Sequence, residues 1–151
     1  MTSNGVHPHG WAPFVHDAGV RNARVDDLLL RARDGWTRLT APEALEAVRD
    51  GALLVDTRTA AQRALTGNLP GALVIDRTVL EWRLDPTSAT RLPEADGRPR
   101  IVVVCRQGYS SSLAVRSLRD LGLDATDVVD GVEGWVAAGL PLAQEPADVR
   151  E

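Results

Sequence analysis

Cysteine is almost absent from the 151-residue chain, whose single example is Cys105. One cysteine cannot form an internal disulfide, which excludes the disulfide-scaffolded small secreted proteins and fits a reducing compartment. The chain also lacks any apolar run approaching the roughly 20 residues that a membrane span needs. Residues 1–14 contain neither a basic segment nor an apolar one, so we predict no signal peptide. Together these absences predict a soluble cytoplasmic protein with no membrane partner.

Positive charge and histidine are also scarce. The 17 basic residues are outnumbered by 21 acidic ones, giving a net charge of -4. Because non-specific nucleic-acid binders usually carry a strong basic excess, we predict no nucleic-acid partner. His7, His9 and His16 all lie near the start and offer no four-ligand zinc set, so we predict no metal and no cofactor. With no histidine later in the chain, the serines at 110–112 lack the base of a Ser–His–Asp hydrolase.

Short apolar runs alternate with helical segments along most of the chain, whose length fits one domain. The runs are rich in β-branched residues and occupy 52–55, 72–75, 101–104 and 127–129. Buried parallel strands require such runs, apolar on both faces. The helical segments between and after them span 60–65, 79–84, 111–121 and 132–138. This alternation predicts an open α/β sheet with helices on both faces.

The N-terminal part has a different character. Residues 1–20 contain Pro, Gly and all the histidines, and we interpret them as a flexible N-terminal tail. Residues 21–35 are predicted to form a helical extension, because acidic residues precede arginines between 25 and 33, as the helix dipole favours. A second helix is predicted to follow Thr40, which has the spacing of a capping box with Glu43.

Cys105 ends the third apolar run and is the most informative residue. In open parallel sheets, ligands bind beyond the carboxyl ends of the strands, where Asp56 and Cys105 are predicted to lie. A short polar loop and a predicted helix follow Cys105, so backbone N–H groups should surround its thiol. Gly108 allows the loop to turn tightly. Thiols at helix N-termini and beside cations ionise readily, and Arg106 is adjacent, so we predict a nucleophilic Cys105.

Three motifs then resemble the rhodanese domain family. Asp56-Thr57-Arg58, followed by Gly67-Asn68-Leu69-Pro70-Gly71-Ala72, is similar to the family's D-x-R strand end and G-H-I-P-G-A turn, with Asn68 where His is usual. The run from Cys105 to Ser110 resembles the six-residue active-site loop. Gly131-Val132-Glu133-Gly134-Trp135 with Gly139-Leu140-Pro141 resembles the C-terminal G-x-x-x-W…G-x-P signature. The resemblance covers about residues 36–142, which we predict to be the domain, followed by a C-terminal tail over 143–151.

The resemblance implies a fold and an activity. The fold is a three-layer α/β sandwich around a five-stranded, mostly parallel sheet with helices on both faces. The activity is transfer of sulfane sulfur through a Cys105 persulfide, from a small anionic donor such as thiosulfate to cyanide or a thiol. Cys105 is therefore the predicted catalytic residue. The predicted substrate-binding residues are Arg106, Gln107, Gly108, Tyr109 and Ser110. The predicted supporting residues are Asp56, Arg58, Arg77 and Arg83.

The donor is less defined than the carrier. Some thiosulfate-specific members of the family have a lysine two residues after the cysteine, and this chain has Gln107 there. Arg106, Arg77 or Arg83 could supply the positive charge instead. Tyr109 could narrow the pocket, stack on a substrate or lie exposed.

Three other functions compete with this one. Related phosphatases and arsenate reductases use a C-x5-R loop, but the sixth residue after Cys105 is Ser111, so the arginine that would clamp an oxyanion is missing. A non-catalytic rhodanese module could serve in binding or regulation, although such modules usually lose the cysteine. A persulfide relay to a sulfur-accepting protein also fits a single domain with an exposed loop.

Overall fold

The structure is a computed structural model that describes residues 23–151. The predicted N-terminal tail and its three histidines lie outside the described residues. None of the helices in the described part is long and apolar enough to cross a membrane.

Helices and strands alternate in the described chain. The helices are α1 (Arg24–Ala32), α2 (Ala41–Arg49), α3 (Ala60–Thr66), α4 (Leu80–Leu84), α5 (Ser110–Asp120) and α6 (Gly131–Ala137). The strands are β1 (Leu53–Asp56), β2 (Leu73–Ile75), β3 (Ile101–Val104), β4 (Ala125–Asp127) and β5 (Asp148–Arg150). Short 3-10 turns span 77–79 and 93–97.

The five strands form one sheet in the order β4-β3-β1-β2-β5, and every pairing is parallel. Successive residues of the central strands point to opposite faces. Val55 and Val103 join the core under α4 and α5, whereas Leu54 and Val102 join the core under α2 and α6. Because helices cover both faces, the central strands are apolar on both sides. The predicted three-layer α/β class with a five-stranded sheet is confirmed.

The predicted start of α2 is also confirmed. Thr40 accepts a hydrogen bond from the backbone N–H of Glu43 at 3.3 Å, and the Glu43 carboxylate accepts one from the Thr40 N–H at 3.0 Å. This reciprocal capping box satisfies two helix-end donors. The helix is thereby fixed directly before β1.

The strand predicted at 127–129 lies two residues earlier, at Ala125–Asp127. Its register against β3 pairs Ile101 with Ala125 and Val103 with Asp127. Val128 instead forms an isolated parallel bridge with Leu39, so its apolar character serves the core rather than this strand. The shift places Asp127 at the carboxyl end of β4, on the same edge of the sheet as Cys105.

The segment that we predicted as a C-terminal tail contributes the fifth strand. Leu73, Val74 and Ile75 of β2 pair in parallel with the residues of β5. The side chains of β5 are largely exposed, because the strand lies at the edge of the sheet. An edge strand of this kind lacks the apolar run that identifies buried strands.

The N-terminal helix α1 packs against α5 through its buried residues Leu29 and Ala32. The guanidinium of Arg116 on α5 donates to the backbone carbonyl of Ala32 at 2.9 Å, and it also bonds the carbonyl of Asp34. The end of α1 is therefore held beside the middle of α5.

Candidate active site

The loop after β3 holds Cys105 at the carboxyl edge of the sheet. Cys105 follows Val104 directly, and α5 begins at Ser110. The cysteine is 6% exposed, and the backbone N–H of Gly108 donates to its Sγ at 3.2 Å. The thiol therefore lies inside the turn of the loop, in contact with a backbone donor as the strand, loop and helix order predicted.

Helix α6 holds the first two carbonyls of the loop. The backbone N–H groups of Val132 and Glu133 donate to the carbonyls of Cys105 and Arg106, at 2.9 and 3.1 Å. Gly131 makes this approach possible, because a Cβ there would stand 2.4 Å from the Cys105 carbonyl oxygen. Two loop carbonyls are thus bound by the N-terminus of α6, so their oxygens are engaged there.

Gly108 is the tightest point of the loop. Its φ of +88° lies in the left-handed region, and a Cβ would stand 2.9 Å from the backbone nitrogen of Asp130. Both conditions favour glycine over any other residue. The Gly108 N–H bonds the Cys105 sulfur, while its carbonyl is bonded by other side chains.

Two arginines bond that carbonyl from behind the loop. Arg33 Nη2 and Arg38 Nη2 donate to the Gly108 oxygen at 2.9 and 2.7 Å. Burial lowers the pKa of Arg33, and the charge of Arg38 lowers it further, while Asp127, Tyr109 and Cys105 raise it. Arginine stays charged in proteins, so both side chains bring positive charge behind the loop.

Asp127 completes this cluster beneath the loop. Its buried carboxylate accepts hydrogen bonds from Arg38 Nε at 2.8 Å, Ser111 Oγ at 2.7 Å and Ser112 Oγ at 2.8 Å. Arg33 Nε donates to the Ser112 hydroxyl at 2.8 Å. The first turn of α5 is therefore tied to the end of β4 by charge-assisted hydrogen bonds, which are the stronger kind.

A pocket opens in front of the loop. Its lining consists of Thr57, Gln62, Cys105, Arg106, Gln107, Tyr109 and Ser110. Four of the predicted substrate-binding residues thus line the cavity that contains Cys105, and the fifth, Gly108, bonds its sulfur.

Glu133 of α6 neutralises the cation at this pocket. Arg106 Nε lies 3.3 Å from Glu133 Oε1, and Gln107 Nε2 donates to Glu133 Oε2 at 3.0 Å. The residue at the lysine position of the family and the neighbouring arginine are therefore both bound to one carboxylate. This pairing reduces the positive charge available to an anionic ligand in the pocket.

Asp56 and Arg58 form a buried ion pair beside the site. Arg58 Nη2 lies 2.8 Å from Asp56 Oδ2, and the two residues are 3% and 1% exposed. Arg58 also donates to the hydroxyl of Thr66 and the carbonyl of Gly67, fixing the end of α3 to the end of β1. Thr57, between the pair, lines the Cys105 pocket, so the pair supports a wall of the site.

Arg77 and Arg83 lie away from the pocket. Arg77 pairs with Glu81 one turn later at 2.7 Å, and Arg83 bonds the carbonyl of Thr90. Neither lines the cavity that contains Cys105. The suggestion that they bring positive charge to the donor is therefore corrected, because residues of their own chain segments bind both guanidiniums outside the pocket.

Six residues of the site were not found from the sequence: Arg33, Arg38, Thr57, Gln62, Asp127 and Glu133. Asp127 had the clearest signal, since a charged residue at the carboxyl end of a strand belongs to the ligand edge once the strand is correctly placed. The arginines gave none, because they lie 75 and 70 residues before Gly108 in the chain.

The fold and this loop define an α/β protein with one cysteine held at the carboxyl edge of a parallel sheet. The chain belongs to the rhodanese-like domain family, whose model matches residues 40–138. The predicted resemblance to the rhodanese family is confirmed.

Two curated relatives are described as adenylyltransferase and sulfurtransferase. The MOCS3 protein of Arabidopsis thaliana is 30% identical over 112 residues, and the MOCS3-2 protein of Zea mays is 34% identical over 101 residues. The matches cover 67% and 65% of this chain, but only 24% and 20% of the relatives. The chain thus spans a quarter or less of their length.

Solved structures share the fold. A Rhodopseudomonas palustris protein of unknown function, described as a possible tyrosine phosphatase, has a TM-score of 0.72 and 26% identity, covering 82% of this chain and 97% of that one. A rhodanese-related protein of Thermoplasma volcanium has a TM-score of 0.59 and 22% identity, covering 73% and 100%. The thiosulfate sulfurtransferase of Pseudomonas aeruginosa has a TM-score of 0.58 and 22% identity, covering 75% and 21%.

Proposed function

We propose that this chain is a cytoplasmic sulfurtransferase that carries sulfane sulfur on Cys105. The observation that carries the proposal is the contact between the Gly108 N–H and Cys105 Sγ, in a loop whose carbonyls at 105, 106 and 108 are bound elsewhere. A backbone donor at the sulfur suits both a thiolate and the anionic persulfide that it would form. Membership of the rhodanese-like family, and relatives described as sulfurtransferases, support the same reaction.

The proposed reaction needs no external oxidant. With thiosulfate, the Cys105 thiolate attacks the outer sulfur, a new S–S bond forms, and sulfite leaves with the electron pair of the broken bond. Cyanide or a thiolate acceptor then attacks the outer sulfur of the persulfide. The acceptor takes that sulfur, and the electron pair of the second broken bond returns to Cys105 as thiolate.

In front of the loop, the pairing of Arg106 with Glu133 leaves less positive charge for the sulfite group of thiosulfate than a free arginine would, which favours a small or protein-bound persulfide donor. The charge of Arg33 and Arg38 lies behind the loop and acts on the Cys105 sulfur itself. The cation next to Cys105, Arg106, is bound to Glu133, which also holds Gln107. We expect slow loading by thiosulfate and faster loading by a small-molecule hydropersulfide, measured as thiocyanate formed with cyanide as acceptor. If the folded protein shows no turnover with either donor, a non-catalytic binding module is favoured instead.

A Glu133→Gln substitution tests the cause of this preference. The change should release Arg106 toward the pocket and lower KM for thiosulfate by about threefold, because a partly exposed ion pair is worth only about 0.5–1 kcal/mol. Steady-state thiocyanate formation gives KM and kcat separately, and kcat should change less than KM.

Glu46→Gln is the matched control, since Glu46 lies exposed on α2 and its substitution makes the same change in net charge. If the thiosulfate KM is equal in wild type, Glu133→Gln and Glu46→Gln, Glu133 does not determine the donor preference.

Phosphatase chemistry is the alternative that the description of the Rhodopseudomonas palustris structure raises. In this chain the position of the oxyanion-clamping arginine of a C-x5-R loop is Ser111, which is buried and donates to Asp127 Oδ2 at 2.7 Å. A serine engaged there cannot supply the bidentate cation that such a loop needs. We therefore expect no hydrolysis of p-nitrophenyl phosphate, and turnover dependent on Cys105 would contradict the sulfur assignment.

A further inference from the structure

Two guanidiniums converge on one backbone carbonyl, that of Gly108. The C=O and N–H of a trans peptide point in opposite directions, and no cis peptide occurs in residues 23–151. With its oxygen fixed toward Arg33 and Arg38, the Gly108–Tyr109 peptide directs the Tyr109 N–H away from the arginines. Cations bonded to a carbonyl also polarise its peptide, which strengthens the N–H as a donor.

The same cluster holds more positive than negative charge. Asp127 is the one carboxylate bonded in this cluster: Arg38 binds it directly, and Arg33 reaches it only through the Ser112 hydroxyl. In front of the loop, by contrast, Arg106 is balanced by Glu133. Of these two clusters, the one behind the loop therefore carries the net positive charge.

We propose that Arg33 and Arg38 are positioning residues that orient the Cys105 loop and supply the positive potential felt by its sulfur. The proposal rests on the proposed function of Cys105. Both arginines precede the segment matched by the family model, which begins at residue 40. The N-terminal helical extension is thus part of the sulfur-carrying machinery.

Helix α1 is well built to hold Arg33. Arg33 is the C-cap residue of α1, where the helix dipole favours a cation. The helix is fixed to α5 by Leu29, Ala32 and the bond from Arg116 to the Ala32 carbonyl. Arg33 then spans the gap with two separate contacts, to the Ser112 hydroxyl and to the Gly108 carbonyl.

The test uses the fact that Cys105 is the only cysteine, so thiol alkylation reports on it alone. Iodoacetamide is neutral and iodoacetate is anionic, so the ratio of their rate constants at one pH reports the local potential at the sulfur. Arg33→Gln removes the charge but keeps a donor for Gly108. We expect it to lower the iodoacetate to iodoacetamide ratio by about threefold, as for one partly screened charge.

Two variants separate charge from structure. Arg33→Lys keeps the charge but loses the guanidinium fork, so its ratio should stay near that of wild type while kcat falls. Arg31→Gln makes the same charge change as Arg33→Gln at an exposed site on the same helix, and its ratio should not move. An unchanged ratio in folded Arg33→Gln, or an equal fall in Arg31→Gln, would overturn the proposal.

Wild-type protein gives a measurement that does not depend on a variant folding. Cys105 should favour iodoacetate over iodoacetamide more than the neutral thiol N-acetylcysteinamide does, and a lower preference would also overturn the proposal. Alkylation requires no sulfur transfer. A protein that shows the ratio effect but never carries sulfur would therefore refute the proposed function alone, whereas turnover with no ratio effect would refute only the role of the arginines.

Discussion

Replacing Cys105 by serine should abolish sulfur transfer while leaving the fold intact. Serine is nearly isosteric with cysteine, so the loop bonds from α6 and from the arginines should persist. Its hydroxyl is not appreciably ionised at neutral pH and cannot form the persulfide, so we expect a loss of at least about a thousandfold in kcat, as for other nucleophile deletions. Thiocyanate formation and circular dichroism, measured on the same preparation, check both halves of the prediction.

Thr90→Ala is a useful companion variant, because it removes an exposed hydroxyl outside the lining of the Cys105 pocket. It should retain the turnover of the wild type. Wild-type turnover in folded Cys105→Ser protein would contradict the assignment of Cys105 as the sulfur carrier.

Replacing Arg58 by methionine should produce the largest loss of stability. Methionine fills similar space but leaves the Asp56 carboxylate buried without its cation, and it also removes the bonds to Thr66 and Gly67. Breaking one side of a buried ion pair costs about 3–5 kcal/mol. Urea denaturation followed by circular dichroism measures the change in the free energy of unfolding.

The double variant with Asp56→Asn serves as the control for this prediction. A neutral amide at position 56 has no buried charge to leave unpaired, so adding this change to Arg58→Met should recover part of the lost stability. If Arg58→Met alone lies within about 1 kcal/mol of wild type, a range typical of exposed ion pairs, the pair does not support the fold as we argue.

The sheet was largely predictable because the apolar composition of its central strands indicates that they are buried. The runs at 72–75 and 101–104 are apolar on both faces, and both were found within one residue of their true bounds. The fourth strand was predicted two residues too late, because Thr126 and Asp127 of the strand are polar while the loop residues after them are apolar. The strand Asp148–Arg150 was missed because an exposed edge strand needs no apolar residues.

The candidate site was predictable only where its residues are contiguous. The loop from Cys105 to Ser110 could be predicted because a strand, a glycine turn and a helix are adjacent in the sequence. The bonds from Arg33 and Arg38 to Gly108 join distant parts of the chain, and no local pattern encodes them. Arg77 was chosen because it follows a strand end, but a glutamate one helical turn away binds it instead.

The central claim is that Cys105 carries sulfane sulfur in the loop from Cys105 to Ser110, where the Gly108 N–H contacts its sulfur. Intact mass spectrometry of the purified protein after exposure to thiosulfate or a hydropersulfide tests it most directly. We predict a gain of one sulfur atom that cyanide removes, and no such gain in Cys105→Ser. Wild-type protein that stays at its unmodified mass with both donors, although its thiol still reacts with iodoacetamide, would contradict the claim.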